Sequence, residues 1–345
     1  MNIFHGLHAS GVAQACALTI GNFDGVHRGH QAMLALLVNE ACHRDVPSCV
    51  LTFEPHPRDY FASVQRKPDL APARIGTLRD KLAELARCGV EQTVVLRFNQ
   101  ELAALSAQAF VDDVLLRGLG ARYVLVGDDF RFGAKRVGDY AMLDAAGRAQ
   151  GFDVARMMSY EVHGDRVSST AVRTALAVGD MPEVERLLGR RYAISGHVVH
   201  GRKLGRALGE RHAGAQDGFR TLNLRFAHWK PAATGIFVVL VHGLAGMALM
   251  GVANLGVRPS LDARDVNGGQ VLLEVHCLDW PAQLGPEGGY GKIIRVELLH
   301  KLHDEIKYEG LAELTAGIAR DCEAARQYFA TTYAQTRRQT TRDRI

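Results

Sequence analysis

The segment GNFDGVHRGH contains two histidines whose spacing is the most direct indication of chemistry in this sequence. His27 and His30 flank Gly29, after an apolar run that predicts a strand and before residues 31–40, whose leucines have helical spacing. Where a strand turns into a helix, free backbone amides and the helix dipole attract anions. Two imidazoles there can donate hydrogen bonds to phosphate oxygens. The segment predicts a phosphate site; the alternatives are a solvated turn and a zinc pair, which lacks a third ligand nearby.

Three further segments in the first half carry polar groups at predicted element ends. FEPHP (residues 53–57) ends one strand with a carboxylate and an imidazole, and GDDFRFG (127–133) ends another with two aspartates. VSSTAVR (167–173) opens a helix with hydroxyls, which either cap the helix or bind phosphate. Its arginine is either a solvated charge or a phosphate clamp. Each segment is ambiguous by itself.

The second half has a glycine-rich segment and a strand that carries a carboxylate. HGRKLGRALG (200–209) spaces three glycines between cations, which suits either a loop over phosphates or a basic hairpin. GVANLGVRPS (251–260) follows, and then LLEVHCLDW (272–280). Glu274 shares a strand face with Leu272 and Leu278, so it is either an ion-pair partner or a general base.

An α/β half followed by a strand-rich half must position these motifs. Strands alternating with amphipathic helices predict a parallel, Rossmann-like sheet with ligands at the carboxyl ends of the strands. The predicted strands of this half cover 17–20, 48–53, 93–98, 123–126 and 152–158. Those of the second half, typical of an antiparallel barrel or sandwich with a terminal helix, cover 198–200, 222–226, 236–242, 271–278 and 293–299. We predict domains at 1–188 and 189–332 and a basic tail at 333–345, which we expect to be disordered.

Composition excludes several classes of protein. The 345 residues are 47% hydrophobic and 23% charged, which is ordinary for globular protein, and the net charge of +4 is too small to indicate nucleic-acid binding. Six cysteines without a CxxC pair are predicted to be reduced core residues, and no signal-peptide pattern is present, so we expect a cytoplasmic protein. The uncharged run 235–256 could span a bilayer, but its five glycines favour two strands joined near 243–246.

In this order and on this pattern, the segments of the first half resemble the nucleotidyltransferase half of the bacterial bifunctional riboflavin kinase/FMN adenylyltransferases, also called FAD synthetases. Those of the second half resemble the riboflavin kinase half, a small β-barrel. The resemblance covers about residues 15–330. It implies an enzyme that phosphorylates riboflavin to FMN and adenylylates FMN to FAD, releasing pyrophosphate and using ATP with Mg²⁺ in both reactions. Riboflavin, FMN, FAD and ATP are then the ligands, and no membrane or nucleic-acid partner is expected.

The resemblance also assigns roles to matching positions. In the first half, His27 and His30 would act in adenylyl transfer and Asp128 would bind flavin, while ATP would be bound by Gly21, Asn22, Asp24, Gly29, Ser169, Thr170 and Arg173. In the second half, Glu274 would be the kinase base, which takes the proton of the riboflavin 5′-hydroxyl. ATP would also be bound by Gly201, Lys203, Gly205 and Gly209. Flavin would be bound by Asn254 and Arg258, and Mg²⁺ by Thr221 and Asn223.

The sequence departs from the family pattern after the glycine loop. Residues 210–218 lengthen the loop, and Arg220 precedes Thr221 where the family has proline. A longer loop costs little closure entropy, so we expect the barrel to form. An FMN adenylyltransferase with a flavin-binding barrel that lacks kinase activity is therefore the alternative. A nucleotide sensor whose tail contacts nucleic acid ranks last, because the tail has no interleaved aromatic residues.

Overall fold

A computed structural model describes residues 1–7, 11–12, 15–162, 165–200, 221–226, 230–256, 271–285 and 287–333. The chain forms two compact units. The first contains residues 1–72, 78–172 and 187–189, and the second contains 73–77, 173–186 and 190–345.

The first unit is built on a six-stranded parallel sheet, as predicted. Its strands are β1 (Asn2–His5), β2 (Cys16–Ile20), β3 (Ser48–Glu54), β4 (Gln92–Arg97), β5 (Ala121–Gly127) and β6 (Asp153–Met157), in the order β1-β4-β3-β2-β5-β6. The helices are α1 (Arg28–His43), α2 (Pro57–Val64), α3 (Leu78–Arg87), α4 (Gln100–Ala104), α5 (Ala107–Ala109), which continues as a π-helix over Phe110–Gly118, and α6 (Tyr140–Gln150). Strand β1 was not predicted from the sequence, because it is an edge strand of four mostly exposed residues whose pattern is too short to stand out.

Strand β2 lies inside this sheet, and all of its side chains are buried. Leu18 belongs to the core cluster on one face and Ala17 to the cluster on the other, because helices cover both faces of the sheet. The strand order reverses between β2 and β5, and in open sheets ligands bind outside the carboxyl ends at such a point. The histidine turn follows β2, and the GDDFRFG segment begins at the end of β5.

Short connecting elements follow the last strand of the sheet in the sequence. They are a small hairpin of β7 (Glu161–Val162) and β8 (Asp165–Arg166), then α7 (Ser169–Val178) and α8 (Met181–Leu188). The two helices agree with the apolar spacing of residues 170–188.

The second unit contains a closed antiparallel barrel, one of the two predicted architectures. Its strands are β9 (Ala193–Val199), β10 (Thr221–Phe226), β11 (Gly235–His242), β12 (Leu249–Gly256), β13 (Val271–Cys277) and β14 (Ile293–His303), in the order β10-β13-β12-β11-β14-β9. The uncharged run 235–256 is the pair β11 and β12, as expected. Strand β9 begins five residues before the predicted 198–200.

A terminal helix, α9 (Leu311–Tyr328), packs on the outside of the barrel. Val238 and Val252, which are paired on β11 and β12, form an apolar cluster with Cys322, Ala325 and Phe329. The alternate side chains of β11 are buried on the opposite face, in the barrel interior. One face of the barrel strands is therefore the core, and the other is open to a helix or a ligand.

Within the described ranges, no helix is both long enough and apolar enough to cross a membrane. All six cysteines are free thiols, as predicted, but Cys42 is exposed on α1 and Cys88 is half-buried, so the expectation of core positions is wrong for these two.

Candidate functional site

The two histidines of the opening motif form a stacked pair at the start of α1. His27 caps the helix, because its Nδ1 accepts a hydrogen bond from the backbone N–H of His30 at 3.3 Å. The ring centroids lie 3.6 Å apart, with 17° between the planes. Since Nδ1 of His27 is an acceptor, its proton is on Nε2, and that nitrogen is the one able to donate to a ligand. Among the described residues, no group of three or more His, Cys, Asp or Glu side chains could hold a metal ion.

The turn before α1 is tight. Phe23 and Val26 have positive φ angles of 47° and 40°, values that non-glycine residues adopt at a cost and that persist only where the surrounding structure enforces them. A Cβ on Gly29 would lie 3.2 Å from His27 Nδ1 and 3.4 Å from the Val167 carbonyl oxygen. Gly29 therefore lets the imidazole and the VSSTAVR segment both approach the start of α1.

The start of α7 lies against this turn. Ser169 Oγ donates to the Asp24 carbonyl oxygen at 3.1 Å, and Ser168 Oγ accepts from the Ala171 N–H at 3.2 Å. Ser168 is thus a helix cap, the ordinary role of such residues, whereas Ser169 connects two motifs that are far apart in the sequence. The structure brings together His27, His30, Gly29, Asp24 and Ser169, with Thr170 exposed at the next position.

Arg173 lies one turn into α7. Its Nε donates to the Ala73 carbonyl oxygen at 2.6 Å. This bond fixes the side chain; the assignment of Arg173 to ATP phosphates stays a prediction.

Asp128 follows β5, the neighbour of β2. Its Oδ2 accepts from Ser159 Oγ at 2.5 Å, and its Oδ1 lies 3.5 Å from Arg166 Nη2. The hydrogen bond from Ser159 lowers the pKa of Asp128; partial burial opposes this, and the Arg166 charge adds to the lowering. A fixed, ionised carboxylate therefore stands at the strand-order reversal.

Two buried polar side chains near this edge received no role from the sequence. His56 caps α2, with Nδ1 accepting from the Arg58 N–H at 3.1 Å. Lys81, 3% exposed, donates from Nζ to Thr52 Oγ1 at 3.3 Å, and Thr52 Oγ1 lies 3.5 Å from the Asn22 carbonyl oxygen. The available signal was a lysine on the face of α3 that carries Leu85.

A cluster of aromatic side chains that was not predicted from the sequence also lies where β3 and β4 end. Its rings meet edge to face at 5.4–5.8 Å and belong to Phe53, Tyr60, Phe61 and Phe98. Phe61 is 43% exposed. The group presents an aromatic surface at the carboxyl edge of the sheet, which suits a planar ring system.

In the barrel, the residues assigned to the kinase form one row across three strands. Asn223 on β10 is directly opposite Glu274 on β13, which is directly opposite Asn254 on β12. Directly opposed residues on antiparallel strands share a face, with Cβ atoms about 5 Å apart. Thr221, two residues before Asn223, lies on the same face.

The polar atoms of this row suit a hard cation or a hydroxylated ligand. Asn223 is buried and donates from Nδ2 to the Thr221 carbonyl oxygen at 3.3 Å. Asn254 Oδ1 is buried and has no hydrogen-bond partner within the described ranges. A buried acceptor without a partner is costly, so a donor from a ligand would stabilise it. Mg²⁺ prefers hydroxyl, amide and carboxylate oxygens as ligands, so the residues fit a divalent cation.

The rest of the predicted kinase site lies outside the described residues. It comprises Gly201, Lys203, Gly205, Gly209, Arg220, the segment 210–218 and Arg258.

The fold and the two sites together define a two-domain enzyme, with a nucleotidyltransferase-type sheet and a riboflavin kinase-type barrel. Family models match the two parts of the chain separately: the model for FAD synthetase matches residues 10–171, and that for riboflavin kinase matches 188–329.

Full-length relatives are similar to the whole chain. A bifunctional riboflavin kinase/FMN adenylyltransferase of Escherichia coli (strain K12) is 43% identical over 334 residues, covering 96% of this chain and 99% of the relative. The one from Haemophilus influenzae is 40% identical, covering 95% and 99%. The chain therefore belongs to the family of bifunctional riboflavin kinase/FMN adenylyltransferases, and it contains both enzymatic domains.

A solved structure from Streptococcus pneumoniae, described as a macrolide-efflux protein, has a similar fold. The TM-score is 0.67 at 24% identity, covering 95% of this chain and 98% of that one. At this identity the likeness shows the fold alone.

Proposed function

We propose that the chain performs the two reactions of its family at two separate constellations, one in each compact unit. Riboflavin is phosphorylated to FMN at the row of Asn223, Glu274 and Asn254, and FMN is adenylylated to FAD at the histidine turn. The observation that carries this proposal is the register of the barrel, which aligns three residues from three separate motifs on one face. Both family domains and the relatives named for both activities favour this function over an adenylyltransferase with an inactive barrel.

At the histidine turn, the FMN phosphate attacks the α-phosphorus of ATP and pyrophosphate leaves. No covalent nucleophile is needed, so the protein orients two anions and stabilises the charge that develops. His27 Nε2–H, His30 and the first amides of α1 supply donors, and Ser169 holds the start of α7 against the same turn. The aromatic group beside FEPHP offers a surface for the isoalloxazine ring.

In the barrel, the oxygen of the riboflavin 5′-hydroxyl attacks the γ-phosphorus of ATP, and ADP leaves. Glu274 takes the proton of this hydroxyl during the attack. The half-buried carboxylate lies between two amide side chains, which hold the substrate beside it. The unpartnered Asn254 Oδ1 would accept a hydrogen bond from a ligand hydroxyl.

Family membership implies ATP and a divalent cation, and we assign the cation as Mg²⁺. Thr221 and Asn223 would hold it at the barrel, where it would neutralise phosphate charge. Six free thiols suit a reducing compartment, and we place the protein in the cytoplasm with riboflavin, FMN, FAD and ATP as its ligands.

One assay tests the assignment. The pure protein is incubated with riboflavin, ATP and Mg²⁺, and the flavins are separated by chromatography. Formation of FMN and then FAD is expected, and a chelator should stop both steps. Conversion of supplied FMN to FAD with riboflavin left untouched would instead support the inactive-barrel alternative, and no turnover would overturn both.

A further inference from the structure

Arg166 occupies a position to which neither the motifs nor the proposed mechanism gives a role. It ends β8, and the next residue, Val167, has its carbonyl oxygen against the start of α1, where a Cβ on Gly29 would be 3.4 Å away. Two residues further on, Ser169 Oγ bonds the Asp24 carbonyl oxygen. Arg166 therefore immediately precedes the segment that packs on the histidine turn.

The guanidinium of Arg166 is held loosely by two carboxylates. Nη2 lies 3.5 Å from Asp128 Oδ1 and 3.8 Å from Asp129 Oδ2, and the side chain is 56% exposed. Charge-assisted hydrogen bonds of a guanidinium are usually about 2.7–2.9 Å long. Asp128 is fixed instead by Ser159, at 2.5 Å. Arg166 can therefore leave this position without releasing Asp128.

The two carboxylates beside Arg166 require a nearby positive charge when the substrates bind. Two carboxylates at the end of β5 would repel an incoming phosphate unless a positive charge lies between them and it. Arg166 lies beside Asp128, on the side assigned to flavin, and three residues before the start of α7, on the side assigned to ATP. The phosphate that joins flavin to nucleotide in the reaction is the FMN 5′-phosphate, and it must lie between those two sides.

We propose that Arg166 binds the 5′-phosphate of FMN, exchanging its loose contacts with Asp128 and Asp129 for paired donors to the phosphate oxygens. The planar fork of a guanidinium matches two phosphate oxygens, which a carboxamide or a single ammonium does not. Arg166 thereby favours FMN over riboflavin as the substrate of this site. The inference rests on the proposed adenylyltransferase function of the histidine turn.

The test is steady-state kinetics of FAD formation from supplied FMN in the full-length protein. Arg166→Gln should raise the KM for FMN about 10-fold or more, because a charged hydrogen bond is lost, while the KM for ATP stays unchanged. Arg166→Lys should recover part of the loss. Riboflavin phosphorylation by the same preparation reports on folding, and Arg148→Gln, which removes an exposed arginine paired with Asp144 on α6, is the matched control.

A second variant predicts the opposite sign. Asp129, 84% exposed, competes with the phosphate for Arg166, so Asp129→Asn should lower the KM for FMN, by about twofold for an exposed pair. A higher KM for ATP in Arg166→Gln, or an unchanged KM for FMN, would overturn the proposal. If Arg166→Gln does not fold, Arg166→Lys and Asp129→Asn decide the question. Failure of the underlying function looks different, because the unmodified protein would then form no FAD.

Discussion

The polar groups of the histidine turn lie close together in the sequence, whereas those of the barrel row come from three strands. His27 and His30 are within one helical turn, and their geometry follows from a helix cap and a close-packed glycine. Asn223, Glu274 and Asn254 are adjacent because of strand register.

Because of this difference, we expect the two sites to respond differently to substitutions. A site built on a tight turn depends on local backbone and on single close contacts. A site built on register depends on pairing, since a shift of one residue would move Glu274 to the face occupied by the barrel core. Substitutions at the catalytic residues should therefore affect one activity at a time, and the other activity serves as their reference.

The largest effect is expected for Glu274→Gln. Loss of the general base should slow riboflavin phosphorylation by about 10²–10⁴-fold, while FAD formation from supplied FMN stays unchanged. The rates are measured by chromatography of the flavins, with Glu323→Gln on the exposed side of α9 as control. Equal loss of both activities in folded protein would contradict two independent sites.

His30→Ala should have the next largest effect, with the opposite selectivity. Removing a donor at the developing charge should reduce FAD formation by about 10²–10³-fold and leave FMN formation intact. His43→Ala, at the exposed end of α1, is the matched control. Normal FAD formation in His30→Ala would remove the histidine from the mechanism.

Gly29→Ala tests the local packing of the turn. Its Cβ would lie 3.2 Å from His27 Nδ1 and 3.3 Å from Cε1, so the ring must shift by a few tenths of an ångström. We expect FAD formation to fall by about 10-fold, since small misplacement of a positioning group is costly. Gly246→Ala, where nothing lies within 4 Å of the added Cβ, should be neutral. If both variants behave alike, the tight packing of the turn has no catalytic importance.

The smallest effect concerns the attachment of α9 to the barrel. His303 Nε2 lies 2.9 Å from Asp321 Oδ1, and its Nδ1 lies 2.7 Å from the Asp304 carbonyl oxygen, so both ring nitrogens face acceptors. Partial burial lowers the pKa of His303, but these hydrogen bonds outweigh it and the pKa is raised. The stabilisation is therefore complete below the unfolded-state pKa, about 6.5, and is lost as pH rises through the raised folded-state pKa.

Thermal unfolding measures this contribution. His303→Gln should lower the melting temperature by about 2–4 °C near pH 6 and by less near pH 9. Asp321→Asn should show the same pH dependence, and the double variant should add little to either. A melting-temperature loss that does not change with pH would mean that packing, rather than charge, attaches α9.

Periodicity predicted the secondary structure of both halves well. The parallel sheet, the barrel hairpin at 235–256 and the terminal helix are confirmed, because each element has a hydrophobic pattern of its own. The pattern failed at β1, which is short and exposed, and at the start of β9.

The candidate sites were predictable in part. Motif resemblance predicted roles for the histidines, Glu274 and Asn254, which stay predictions, but not for the buried Lys81, whose partner Thr52 is on another element. Nor did the sequence indicate that Nδ1 of His27 caps α1.

The sequence by itself determined the element types and the position of the opening motif at a helix start, on which the predicted phosphate site depends, because apolar spacing, glycine positions and helix starts are local properties. The tertiary structure alone decided which residues face one another. Strand register aligned Asn223 and Asn254 with Glu274, and the packing of α7 on the histidine turn placed Arg166 beside Asp128. These are contacts between distant parts of the chain, whose geometry is fixed only when the strands of each unit have paired and the segments beside them have packed.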